Sequence, residues 1–295
     1  MTKLLNGNQL SREIRKEISK KIDQDIRKKK KRLPHLGIIL SGNNSSSLTY
    51  VNSKIQECKN IGIQYSLVHL PEYSSEQDIL KEIQKMNNNS LIDGLIVQLP
   101  LQKHINEENI ILSINPKKDV DGFHPENFGK MSLNMNAFFP ATALGILTLL
   151  ERNQIKISGK HTVVVGRSRI VGRPISILMS RRQNPGNSTV TLTHSHTTNI
   201  EHYTKQADII ITAVGVPGFL KGKMIKKGAV IVDVGITRIQ NNENKSFLIK
   251  GDVDFHSVYG KASYLTPVPG GVGPMTRIML IKNTLIAALN RLNNS

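Results

Sequence analysis

The sequence of 295 residues contains one cysteine, Cys58, no tryptophan, and only 4% aromatic residues. A lone thiol cannot form an intramolecular disulfide, which excludes a stapled secreted scaffold and leaves the fold to an ordinary buried core. Scarce aromatic rings leave few platforms on which bases could stack. No apolar run reaches the roughly 20 residues that a membrane-spanning helix needs. The opening stretch, MTKLLNGNQLSREIRKEISKK, has no apolar core of signal-peptide type and carries glutamates, which transit peptides avoid, so a cytosolic protein is expected. Acids are also in deficit: 22 Asp and Glu face 40 Lys and Arg, for a formal charge of +18. Such an excess invites a nucleic-acid reading, because clustered cations release counterions as they neutralise phosphates. Here the lysines are spread along the chain among Asn and Ile. The one dense run, residues 27–32, follows apolar residues recurring at every fourth position: Leu10, Ile14, Ile18, Ile22 and Ile26. Cations suit a helix C-terminus and Pro34 follows as a stop, so the run reads as a solvated helix end.

The length suits about two domains. Short apolar runs alternate with helical patterns, the signature of an α/β fold with a parallel sheet. HLGIIL, IQYSLVHL and DGLIVQL read as strands, with helices beginning near Ser47, Ser75 and Asn106. A helical ATALGILTLLERN then leads into a second series: strand HTVVVG, a helix from Gly172, and strands STVTLT, DIIITAV and AVIVDVG. NNENK, around residue 243, reads as a polar turn. The segment TRIMLIKNTLIAALNRL is a strong amphipathic helix whose apolar face needs a partner, and it is expected to return to the first domain. The boundaries that follow are a first α/β domain over residues 1–145, completed by a helix over 276–295, and a second βαβ domain over 146–275.

The stretch VVVGRSRIVGRP, residues 163–174, has the form of a relaxed dinucleotide loop. Gly166 permits a tight turn after the strand, and Gly172 permits close packing where the next helix begins, with backbone N–H groups facing an anion. Ser168 stands where the usual fingerprint has a second glycine. A plain strand-to-helix turn would use the same glycines, so the next strand has to discriminate. In an NAD site that strand ends in an acid that binds the adenosine ribose. Here STVTLT ends in HSHTT, with no carboxylate. Ser195 supplies a hydroxyl, His194 and His196 supply donors, and Arg167 on the neighbouring turn has a fork suited to phosphate. That set points to NADP. The alternative is that Arg167 is a solvent-facing loop residue and the histidines are surface polar groups.

The first domain carries a different set. Tyr50 and Lys54 in SSSLTYVNSK lie one helical turn apart and share a face, as core-edge and solvent residues often do. Gln98 in VQLPLQ falls at the C-terminal end of a strand, where open α/β sheets bind ligands. Asp119 and Asp121 in KKDVDGFHP lie in a loop, and paired aspartates before glycine often just make a turn. TPVPGGVGPMT, residues 266–276, is too glycine-rich for a mere connector and suggests backbone approaching a flat ligand, with Thr276 capping the final helix. Cys58 reads as packing, since no histidine pairs with it in a recognisable signature.

With SLTYVNSK, DGLIVQLPLQ, KKDVDGFHP, GRSRIVGRP, TAVGVPG, VDVGI, GDVDF and TPVPGGVGPMT in this order, the sequence resembles the bifunctional methylenetetrahydrofolate dehydrogenase/cyclohydrolases of the FolD family over essentially its whole length. The resemblance implies a cytosolic homodimer whose Rossmann domain binds NADP, with folate held in the cleft between the domains. It implies NADP-dependent oxidation of 5,10-methylenetetrahydrofolate to the methenyl compound, and hydrolysis of that product to 10-formyltetrahydrofolate. Carried over by position, it makes Lys54 the catalytic lysine, with Tyr50 packing beside the folate, Gln98 orienting Lys54 or the reacting carbon, and Asp121 holding the pterin amino edge. Val97, Leu99, Pro269, Gly270 and Gly271 join the folate contacts. Gly166, Arg167, Ser168, Gly172 and Ser195 take the NADP, with Ile236 beside the nicotinamide. No metal, nucleic acid or membrane partner is implied. One departure stands out: the family's usual Pro-Cys-Thr-Pro is Pro140-Ala141-Thr142-Ala143 here, where local repacking is expected and Thr142 can still cap the helix. Two other classes compete with this reading. One is a different two-domain NADP reductase of shikimate-dehydrogenase type, against which TPVPGGVGPMT and TYVNSK argue. The other is a basic nucleic-acid-binding protein.

Overall fold

The computed structural model describes residues 1–240 and 247–293, so the NNENK turn lies outside the described residues. The chain divides into two compact units, one of Glu13–Ala141 with Arg277–Ser295 and one of Met1–Arg12 with Thr142–Thr276. Among the described residues no helix is long and apolar enough to cross a membrane.

The first unit is built on three parallel strands in the order Gln64–Leu70, His35–Ser41, Gly94–Val97. The central strand and Gly94–Val97 are apolar on both faces because both are buried, which is why they read as continuous runs rather than alternations. The helices between them begin at side chains that satisfy their first N–H groups. Asn44 accepts from Ser46 and Ser47 ahead of Ser45–Ile61, Ser75 and Asp78 cap each other reciprocally ahead of Glu76–Asn88, and Asn106 accepts from Glu108 and Asn109 ahead of Glu107–Ser113. Ile39, Ile79, Ile83, Leu95 and Ile110 form the centre of the packing beneath.

The chain's first helix, Gly7–Ile22, runs into a π-helical turn, Asp23–Arg27. The four-residue repeat explains the turn. An α-helix advances about 400° over four residues, so a strict repeat of four drifts by about 40° per step. A wider π turn takes up that drift, and Ile14, Ile18, Ile22 and Ile26 are all buried. The basic run beyond it is only partly a solvated end. Arg27 pairs with Asp23 on the surface, but Arg32 reaches Asp93, whose side chain is 0% exposed, at 2.9 Å. Arg291 of the final helix binds the same carboxylate at 2.8 Å, and Asn283 donates to the Val120 and Phe139 carbonyls. The final helix thus returns to the first unit as its apolar face required. It runs Val272–Asn293, so Thr276 lies inside it rather than at its cap, and the Thr276 hydroxyl bonds back to Val272 O at 3.3 Å. Pro274, tolerated in a first turn, had disguised that start as loop.

The second unit holds a six-stranded sheet in the order Lys3–Leu4, Tyr264–Leu265, Val230–Asp233, Ile209–Thr212, His161–Val165, Thr189–Thr193, every pairing parallel. His161–Val165 is the point where the chain turns from one side of the sheet to the other, since its neighbours are the next two strands in sequence. The edge strand comes from the N-terminus. Met1–Arg12 therefore groups with this unit, although the sequence pattern placed residues 1–145 together. A strand of two residues carries no periodicity from which to read it. A separate antiparallel pair joins Thr237–Gln240 to Phe247–Lys250.

Candidate active site

At the C-terminal edge of the three-stranded sheet, Lys54 projects from the Ser45–Ile61 helix and is only 8% exposed. Its Nζ donates to Gln98 Oε1 at 3.1 Å and lies 4.0 Å from Asp121 Oδ2. Gln98 follows strand Gly94–Val97, and its amide is fixed from the other side, Nε2 donating to Leu99 O at 2.6 Å. A lysine ammonium has three donors, so a bond to Gln98 leaves capacity directed elsewhere. Tyr50, half-buried, stands one turn before Lys54 on the same helix. Val97, Leu99 and Asp121 line one small cavity with Phe123. The structure therefore brings Lys54, Gln98 and Asp121 together, although they are far apart in sequence.

The two aspartates of KKDVDGFHP have separate tasks. Asp119 is 2% exposed and fastens the loop: Oδ1 accepts from Gly122 and Phe123 N–H, and Oδ2 from His124 N–H and Asn127 Nδ2. Burial pushes its carboxyl up, against the pull of those donors. Asp121 accepts no hydrogen bond among the described residues and faces Lys54. Neighbours missed in sequence support the same helix. Glu57, nearly a turn beyond Lys54, takes a bidentate pair from Arg15 at 3.0 and 2.8 Å. No local signal links positions 42 residues apart. Cys58 is fully buried, and that burial pushes its thiol up to about 12, which suits packing and not nucleophilic work.

The second unit offers backbone rather than side chains. Gly166 has φ +113° and lies so near Ala213 that a methyl there would sit 2.3 Å from the Ala213 carbonyl oxygen. A methyl on Gly172 would sit 1.9 Å from Gly166 O. Only glycine permits either approach. The start of the Gly172–Ser180 helix differs from expectation in one respect. Its first N–H groups are not all open to an anion, because Ser168 Oγ accepts from Val171 and Gly172 and Ser168 O accepts from Arg173. The hydroxyl that replaces the fingerprint's second glycine thus takes up N–H groups at the helix start. Arg167 and Ser168 are exposed, and so are Ser195 and Ile236. Partial burial and the charges of Arg167 and His196 hold the His194 imidazole below its usual range, and its Nδ1 accepts from His196 N–H at 3.2 Å. Arg167 is therefore an electrostatic neighbour of the end of strand Thr189–Thr193, where no carboxylate stands.

Two aspartates that the sequence pattern passed over organise the far end of this sheet. Asp233 accepts from the N–H groups of Gly235, Asp252 and Val253, and Asp252 Oδ2 accepts from Val214 and Gly215. Burial pushes the Asp233 carboxyl up to about 6, with the Asp252 charge adding to it against the backbone donors. In residues 266–271, Gly270 has φ +109° and a methyl on Gly271 would meet Pro267 O at 2.7 Å. The residues replacing the family's Cys and Pro, Ala141 and Ala143, are buried; Thr142 between them is the second residue of its helix rather than its cap, its hydroxyl oxygen 3.2 Å from Thr276 Oγ1.

Comparison with known proteins bears on these arrangements directly. Residues 5–121 match the tetrahydrofolate dehydrogenase/cyclohydrolase catalytic domain, and residues 140–292 match the NAD(P)-binding domain of the same enzymes. A bifunctional protein FolD from Flavobacterium johnsoniae is 57% identical over 285 residues, covering 96% of each chain. The solved FolD methylenetetrahydrofolate dehydrogenase/cyclohydrolase of Campylobacter jejuni is 42% identical, with a TM-score of 0.92 over 99% of this chain and 100% of that one. The Trypanosoma brucei enzyme, solved with NADP cofactor and inhibitor, is 33% identical, with a TM-score of 0.93 over 99% of this chain and 98% of that one. Lys54, Gln98 and Asp121 fall within the catalytic-domain match, and Gly166 and Gly172 within the NAD(P)-binding match. The chain belongs to the tetrahydrofolate dehydrogenase/cyclohydrolase family.

Proposed function

We propose a residue-level account of two consecutive reactions on one folate. The chain oxidises 5,10-methylenetetrahydrofolate to 5,10-methenyltetrahydrofolate with NADP, and hydrolyses the methenyl compound to 10-formyltetrahydrofolate. The observation that carries the assignment of residues is the meeting of buried Lys54 and Gln98 with half-buried Asp121. NADP, when bound, supplies the hydride acceptor. The donor set fits its phosphates: Arg167, Ser195 and the two histidines offer donors and positive charge, with no repelling acid at the strand end. Gly166 and Gly172 shape the turn beside it, and Ile236 offers an exposed apolar face for the nicotinamide.

In the oxidation a hydride leaves the methylene carbon, and no proton has to leave an oxygen. Alignment carries that step. Asp121, whose carboxylate is not engaged by any described hydrogen bond, takes the amino edge of the pterin, Tyr50 packs against the ring, and Val97, Leu99, Pro269, Gly270 and Gly271 complete the folate contacts. The hydrolysis makes different demands. Water adds to the methenyl carbon, losing a proton; the carbon–nitrogen bond of the ring then breaks as the new hydroxyl gives up its proton to become the formyl oxygen and the leaving nitrogen gains one. Lys54 Nζ moves these protons, and Gln98 keeps it aimed.

Replacing Lys54 by Gln leaves a hydrogen-bonding group that exchanges no protons. Methenyltetrahydrofolate decay and NADPH formation, followed separately, should show cyclohydrolase activity abolished and dehydrogenase activity still measurable. Lys54→Ala, which also opens a gap, should harm both. Hydrolysis by Lys54→Gln at the wild-type rate would remove Lys54 from the proton-transfer role. A cytosolic location and a homodimer complete the reading, supported by the family resemblance. A monomer mass in light scattering would contradict the dimer.

A further inference from the structure

Residues 266–271 join strand Tyr264–Leu265 to the final helix and contain three of the proposed folate contacts. The start of this loop is held by its own sheet, Thr266 Oγ1 accepting from Asp233 N–H at 2.7 Å and Thr266 N–H donating to Ile231 O at 3.1 Å. Its end is held by the other extreme of the chain. Asn8 N–H donates to Gly270 O at 3.0 Å, and Gly7 lies so close that a methyl on it would sit 1.7 Å from Gly271 O. The register that brings them there is set by the N-terminal strand. Lys3 pairs with Tyr264 and Leu4 with Leu265, Leu5 N–H donates to Leu265 O at 2.9 Å, and the Leu5 side chain is 0% exposed. Thr2 fixes the beginning, its hydroxyl donating to Ala262 O and accepting from Gly260 N–H.

We infer that residues 2–8 are a positioning element for the substrate loop, with Gly7 and Asn8 seating Gly270 and Gly271 for folate. The inference rests on the reading of that loop as a folate contact. A helix leaves its first N–H groups without intrahelical acceptors, and here one of them is spent on a loop carbonyl. Gly7 is a backbone contact surface, where any side chain would displace the loop. Among the described residues, the cofactor turn at Gly166 and Gly172 makes no such contact with residues 2–8, so substrate binding and cofactor binding should respond separately.

Two variants of the full chain test this. Gly7→Ala adds the forbidden methyl. Asn8→Pro deletes the single N–H that serves Gly270, at a first-turn position where proline leaves the helix ladder intact. The KM for methylenetetrahydrofolate should rise about tenfold in both, the scale of losing one net hydrogen bond, with kcat changed by less than about threefold and the Kd for NADP, measured without folate, by less than about twofold. A parallel rise in the NADP Kd would mean general loosening and overturn the inference. Gly271→Ala serves as the internal reference. If it raises the folate KM while Gly7→Ala and Asn8→Pro do not, the positioning role is wrong and the loop reading stands. If none of the three raises it, the loop reading fails and the inference falls with it. Should Gly7→Ala fail to fold, Asn8→Pro decides by the same criteria.

Discussion

In the first unit, Lys54, Gln98 and Asp121 meet through side-chain atoms, at 3.1 and 4.0 Å. In the second, Gly166 and Gly172 meet neighbouring backbone at distances no side chain would allow, and carboxylates of Asp233 and Asp252 gather backbone N–H groups from separate loops. One unit presents functional groups on a scaffold, and the other shapes the scaffold itself. The difference follows from the tasks proposed for the two units. Proton transfer needs a titratable atom held at a chosen point, whereas a dinucleotide needs a concave backbone and an oriented set of donors. Substitutions should therefore separate activity from stability in the first unit and couple binding to backbone geometry in the second.

The sharpest contrast lies within one loop. Asp119→Ala strips the acceptor from four buried or half-buried donors, and at about 1–3 kcal/mol for each donor left unsatisfied the unit should lose roughly 3 kcal/mol or more. Asp121→Asn should leave the melting temperature nearly unchanged and depress turnover. Thermal melts and dehydrogenase assays of both variants check this, and equal destabilisation would break the division of labour between the two aspartates. In the second unit, Gly172→Ala should cost about 1–3 kcal/mol of stability by forcing Gly166 and Gly172 apart, and weaken NADP along with it. A variant with native melting temperature and native NADP affinity would show that the turn accommodates a methyl after all.

Arg167→Ala tests a side chain on which the proposed NADP site of the second unit relies. Loss of a charge-assisted phosphate contact costs roughly 1.5–3 kcal/mol, so NADP binding should weaken substantially while NAD binding changes little. Titration of both cofactors into both proteins gives the answer, and equal weakening would mean that Arg167 does not meet the extra phosphate. The last test concerns Asp233. Its folded-state carboxyl is raised to about 6 from an ordinary 3.8, so the native protein holds a proton that the unfolded chain has released. Its contribution to stability should fall as pH rises from about 4 to about 6 and change no further above that. Carbon-13 titration of the aspartate carboxyls should show a midpoint near 6, and a midpoint near 4 for every aspartate would contradict the buried environment.

Much of this molecule was legible along the chain. Apolar runs marked the strands because parallel strands are covered on both faces, and Ser75 and Asn106 marked helix starts because caps are local chemistry. Gly166 and Gly172 were legible because a strand-to-helix turn imposes its own spacing. Lys54 and Tyr50 could be paired by helical periodicity, but nothing local joined them to Gln98 or Asp121. The start of the final helix was hidden by Pro274 and two glycines, and the strand Lys3–Leu4 was too short to show a period.

The sequence by itself determined the α/β alternation, the helix caps at Ser75 and Asn106, the dinucleotide turn and the absence of an acid at the end of the second strand, since each depends on residues close together in the chain. Only tertiary structure decided that Asp121 rather than Asp119 faces Lys54, that Arg32 and Arg291 share the buried Asp93, and that Gly7 lies on Gly271. These are contacts between residues distant in sequence, where the burial of one group selects its partner and no short-range pattern records the choice.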